Sequence, residues 1–226
     1  MSPRQATAGV GLVELMVALA LGLFTVLVGT TLLLSQLREQ HRRLSETRLR
    51  QEMRAVLAFV EHDLRRAGLW GAPAAGVWAG NGVPLVANPY GAVSPEGTAS
   101  AASLAYTYSR DTENHAVDSN ERFGLRLNAT TGVIEARIGD AWQALTDPQG
   151  ARFTTLSATA RSTALSLQDR CSTACATGAT DCPPRQTFRT LDIVLAAQAP
   201  ALPALQLRQQ RAVHLPTDVS SGRCPA

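Results

Sequence analysis

The sequence predicts an α+β chain in which one long N-terminal helix lies on a mostly antiparallel β-sheet head. Three features of the 226 residues predict it. Residues 15–34 (LMVALALGLFTVLVGTTLLL) form an uninterrupted uncharged stretch. Residues 35–67 contain neither Gly nor Pro and keep a helical apolar period. From residue 103 onward, short runs separated by turn residues read as strands.

The apolar stretch comes first. A helix of about 20 such residues is about 30 Å long, the thickness of a bilayer core. Ser35-Gln36-Leu37-Arg38 follows it and offers no small-x-small cleavage site, so the segment stays attached to the protein. The remainder is polar enough to be soluble and long enough to bury a modest core. Formal charge is +3, and every basic residue is Arg. That balance gives no strong case for a nucleic-acid partner.

The helix then continues. Met53, Leu57, Val60, Leu64 and Ala67 recur at helical spacing, and Val56 widens the stripe. Glu39 with Arg43, Glu46 with Arg50 and Glu61 with Arg65 are i,i+4 pairs in the favoured order. Gly68 is the expected stop. Gly22 and Gly29, each costing about 1 kcal/mol in a helix, are the expected places for a bend or local unwinding. The Arg-rich surface of residues 38–54 reads as a solvated helix face.

In the head, residues 70–96 are rich in Gly, Pro and Ala and read as an irregular connector. Strands are predicted over 103–109, 122–127, 133–138, 141–145, 151–159, 163–167, 187–196 and 205–215, with a hairpin turn at 128–132. The stripe of the amphipathic half would pack on that sheet.

The most informative string precedes the apolar stretch: Ala8-Gly9-Val10-Gly11-Leu12-Val13-Glu14-Leu15-Met16. Taken alone, Glu14 reads as an interfacial residue at a helix N-terminus, where the dipole favours an anion. The whole string resembles the prepilin leader of type IV pilins and their relatives. That resemblance implies cleavage between Gly9 and Val10, with Glu14 as the fifth mature residue. Val10 stands where the family usually has Phe, a residue often N-methylated, and Gly11 where it usually has Thr or Ser. It implies four segments: a leader (1–9), a membrane and polymerisation helix (10–34), an amphipathic helix (35–68) and an extracytoplasmic head (69–226). It also gives Glu14 a role, pairing with the N-terminal amine of a neighbouring subunit inside a helix bundle, where an unpaired charge is costly. The arginines after the apolar stretch, Arg38 to Arg54, would by the positive-inside tendency place that flank in the cytoplasm. The leader string is the more specific signal and takes precedence.

Shorter strings narrow the resemblance. Asp63-Leu64-Arg65-Arg66-Ala67-Gly68-Leu69-Trp70-Gly71, Trp142-Gln143-Ala144-Leu145 and Arg211-Ala212-Val213-His214-Leu215 are similar to PilW-type minor pilins. The J-type pseudopilins of type II secretion share much of this layout. The resemblance implies a subunit held in the inner membrane with a periplasmic head, acting in pilus assembly, priming or tip formation. Its implied partners are other minor pilins, the major pilin, an inner-membrane assembly platform and the prepilin peptidase. The reading from a different class is a membrane-anchored domain that does not polymerise.

Cys171, Cys175, Cys182 and Cys224 are an even, clustered set that suits disulfides if the head leaves the cytoplasm. Four cysteines allow three pairings. The short spacing of Cys175 and Cys182 favours a local loop, which leaves Cys171 for Cys224. Their spacing departs from paired zinc knuckles. Residues 109–122 gather Asp111, Glu113, Asn114, Asp118, Asn120 and Glu121, hard oxygens that would suit Ca²⁺. The spacing is not that of an EF-hand loop, and a solvated surface loop is the favoured reading. No nucleotide-binding, hydrolase or zinc-protease motif occurs, so no enzyme and no cofactor is expected.

Overall fold

The computed structural model describes residues 11–76, 86–96, 98–110 and 115–225. One helix, α1 (Leu12–Leu64), precedes nine strands: β1 (Val93–Ser94), β2 (Ser100–Ala101), β3 (Ser103–Thr107), β4 (Arg122–Asn128), β5 (Val133–Ile138), β6 (Ala141–Ala144), β7 (Arg152–Ser166), β8 (Arg185–Ala199) and β9 (Leu202–Ser221). The chain forms two compact units, Met1–Ser45 and Glu46–Ala226. α1 begins in the first and ends in the second.

Residues 12–45 of the first unit are helix. α1 stays helical through Gly22 and Gly29, so the local unwinding expected there does not occur. Two isolated glycines weaken a helix without ending it when strong helix formers flank them. The hydroxyls of Thr25 and Thr31 donate to the carbonyls of Gly22 and Val28, each at 2.8 Å, and Thr30 donates to that of Val26.

The second unit is an α+β head. Leu49, Met53, Val56, Leu57, Val60, Leu64 and Ala67 are buried, which is the predicted stripe extended by one turn. They share one core with Leu104, Phe123, Leu125 and Ile134 of one sheet and Phe153, Leu156, Leu191, Ile193 and Leu195 of another. Burying each large aliphatic side chain is worth about 1.5–3 kcal/mol. Gly68 ends the helical run with φ +77°, and a Cβ there would lie 2.7 Å from Thr217 Oγ1. Its N–H turns away from the helix to the carbonyl of Thr107, 2.8 Å away.

The strands form two antiparallel sheets, ordered β1-β3-β4-β5-β6 and β2-β7-β8-β9, where a single sheet was expected. The break lies between β6 and β7. There Pro148 cannot donate a ladder bond, and Asp147 closes a turn by accepting the N–H groups of Gln149, Gly150 and Ala151. The separate runs at 151–159 and 163–167 are one strand, β7. Exposed Arg161 and Ser162 interrupt the apolar alternation but not the backbone ladder. The predicted turn at 128–132 closes β4–β5, with the Gly132 N–H on the Asn128 carbonyl at 2.8 Å and Asn128 Oδ1 capping Thr130 and Thr131.

Candidate functional site

α1 is the described helix long and apolar enough to cross a membrane, and its apolar stretch is unburied. Its polar side chains suit such a setting, since the threonine hydroxyls and Ser35 all bond back to helix carbonyls and leave no donor unsatisfied in hydrocarbon. Glu14 stands in the first turn. Among the described residues it has no ion-pair partner. Gly9 and Val10 lie outside the described residues, as do Asp111 and Glu113.

The unbroken helix puts Glu14, Ala18, Gly22, Thr25 and Gly29 on one face, at spacings of three and four, and Gly11 directly precedes its first residue. A Cβ added at Gly11, Gly22 or Gly29 would meet nothing within 4 Å. Nothing in this chain's own described fold therefore requires glycine there, although each interior one weakens the helix. Small residues at this spacing let a second helix backbone approach closely in a membrane.

Beyond the apolar stretch, all three predicted i,i+4 pairs form. Arg43 Nε lies 2.9 Å from Glu39 and Arg65 Nη2 2.6 Å from Glu61, and Arg50 contacts Glu46. The hydrogen bond from Arg43 holds the Glu39 carboxyl below the usual carboxylate range.

In the head, the end of α1 is fastened by an aromatic cluster. Asp63 accepts hydrogen bonds from the hydroxyls of Tyr106 and Tyr108. The Arg66 guanidinium sits 4.3 Å from the Tyr108 ring centroid, and that ring stacks on Phe123 at 3.9 Å. Burial first, then the Asp63 charge, pushes the Tyr108 hydroxyl up to about 12 and that of Tyr106 higher still. Trp70 Nε1 donates to His115 Nδ1 at 3.4 Å. The Asp63 to Gly71 string is thus a set of contacts between the helix end and the head. Trp142 also fastens neighbouring strands, since Arg126 covers its ring at 4.2 Å while pairing with Glu135 at 2.6 Å. A further strap, which no sequence pattern announces, is half-buried Arg189. It donates to the carbonyls of Gly91 (2.6 Å) and Thr217 (2.9 Å), and burial lowers its pKa.

Glu121, which the sequence presents as one of several loop carboxylates, is fully buried. Its two oxygens accept the N–H groups of Arg110 (3.0 Å) and Asp118 (2.9 Å), closing the base of the acidic loop. Those bonds turn Glu121 away from a cation site on the surface. Glu121→Ala is expected to cost about 1–3 kcal/mol, since it removes a buried carboxyl that accepts two backbone N–H groups. Chemical denaturation of the mutant checks this.

The structure joins Cys171 to Cys224 (Cα–Cα 5.3 Å) and Cys175 to Cys182 (5.7 Å). All four sulfurs are bonded, so none is available as a thiolate ligand. Arg223 pairs with Asp181 at 3.0 Å beside them.

A family model described as PpdB, prepilin peptidase-dependent protein B, matches residues 42–215. The chain belongs to this family. No curated protein and no solved structure matches the chain. The PpdB match covers the amphipathic end of α1 and most of the head, and the leader string lies outside it. The family fits a pilin-like protein that depends on the prepilin peptidase, with a general role in a pilus or pseudopilus.

Proposed function

We propose that the chain is a minor pilin that takes part in type IV pilus assembly, priming or tip formation. The observation that carries this is the glycine-lined face of α1, with Glu14 on it and nothing of the chain's own described fold against it. A mere anchor gains nothing from Gly22 and Gly29 on one side of its helix. A helix that must lie against other helices does. On this reading the prepilin peptidase removes residues 1–9, and residues 10–34 first hold the subunit in the inner membrane and then pack in the filament. Residues 35–68 join that segment to the head at 69–226. Two disulfides suit a periplasmic head. The strings that resemble those of PilW-type minor pilins favour a place near the pilus tip, among other minor pilins, the major pilin and the assembly platform.

Deleting the chain tests this. The expected result is loss or sharp reduction of surface pili with type II secretion intact. Normal piliation with blocked secretion would instead make it a pseudopilin.

A further inference from the structure

Most edge strands in the two sheets are short. β1 and β2 have two residues and β6 has four, the usual way of keeping foreign strands from pairing. β9 differs. It is the outer strand of its sheet and runs for 20 residues. Its ladder with β8 is continuous over ten pairs, from Arg189↔Leu215 to Gln198↔Gln206, with register shifts only beyond the two ends. That stretch, QLRQQRAVHL, contains no Pro or Gly, and prolines at 203 and 216 bracket it. Its far side therefore offers a regular row of backbone donors and acceptors. Gln206, Arg208, Gln210, Ala212 and His214 are all exposed.

Charge selects what could pair there. No carboxylate occurs from residue 202 to 216, whereas Arg208, Arg211 and His214 do. Arg211 faces Glu61 of the helix at 3.5 Å, and Arg208 has no ion pair among the described residues. A second copy of this chain, paired antiparallel along the same stretch, would bring Arg208 no carboxylate in any register, because the stretch holds none.

We infer that the free edge of β9 takes up an extended, acidic segment of a different filament subunit as an added strand. The backbone ladder supplies affinity, and Arg208 selects a carboxylate on the incoming strand. This rests on the reading of the chain as a filament subunit.

The test places a benzophenone side chain at position 210 of the full chain, in cells that hold the other subunits. Adducts are identified by peptide sequencing. The expected adduct is a segment of another subunit with Asp or Glu at or next to the linked position. Its yield should fall about fivefold in Arg208→Glu, the effect of a like charge across a pair. Arg208 is exposed, so an unchanged melting temperature would show that the fold survives the substitution. No adduct, an adduct with a second copy of this chain or with a segment lacking carboxylates, or a yield indifferent to Arg208→Glu would overturn the inference. If the chain is present in sheared filaments without the adduct, only the β9 inference fails. If it is missing from the filaments, the filament reading fails too.

Discussion

Processed Glu14→Ala is expected to remain in the membrane and to be lost from the filament. Removing a carboxylate makes α1 more hydrophobic, so insertion should survive or improve. An anchoring role therefore predicts no loss of function. Assembly predicts a specific defect, because the amine of a neighbouring mature chain would enter the helix bundle without its counter-charge. Leaving one member of a buried pair alone costs about 3–5 kcal/mol. At 1.4 kcal/mol per factor of ten, that lowers incorporation by about two to four powers of ten. Comparing the variant in sheared-filament and membrane fractions reads the effect directly, with leader removal checked in the same samples. Normal recovery in sheared filaments would make Glu14 an interfacial residue and nothing more.

The second large effect lies in the head. Leu64 is fully buried at the end of α1, in the core that joins helix and sheets. Leu64→Asp removes an aliphatic side chain and leaves a charge without a partner, a combination expected to cost about 4 kcal/mol or more. Leu57→Asp should behave alike. Ala58→Asp, on the exposed side of the same helix, should cost about 1 kcal/mol or less. Urea unfolding of a fragment beginning at Ser35 measures all three. If both buried-site variants unfold like the parent, the stripe packs on something other than this head.

The stripe was legible because burial on one helix face imposes a period that the residues themselves carry. Met53 through Ala67 announce it, and the i,i+4 ion pairs mark the solvent side. The stop at Gly68 was legible for a related reason, since only glycine fits the positive φ and the closeness of Thr217. Which strands share a sheet was not. Alternation reports that a segment is extended and half-buried, and says nothing of its neighbours. β1 and β2, two residues each, are too short to carry any period. Contacts between distant residues were hidden for the same reason. Tyr106 and Asp63 are 43 positions apart, and no local pattern joins them. Glu121 misled because a carboxylate in a polar loop looks solvated until the folded chain shows which N–H groups it accepts. In the candidate site, Glu14 stood out as a lone charge beside an apolar stretch. The glycine-lined face became meaningful only once the helix proved unbroken and nothing was found to crowd it.

Everything proposed for α1 begins with removal of the leader, because the amine that Glu14 would meet exists only after the bond before Val10 is cut. Intact mass of the membrane-extracted chain, from cells with and without an active prepilin peptidase, measures this most directly. The predicted result is a chain that begins at Val10 when the peptidase is active and retains Met1 through Gly9 when it is not. A chain that keeps Met1 through Gly9 in the presence of active peptidase would contradict it.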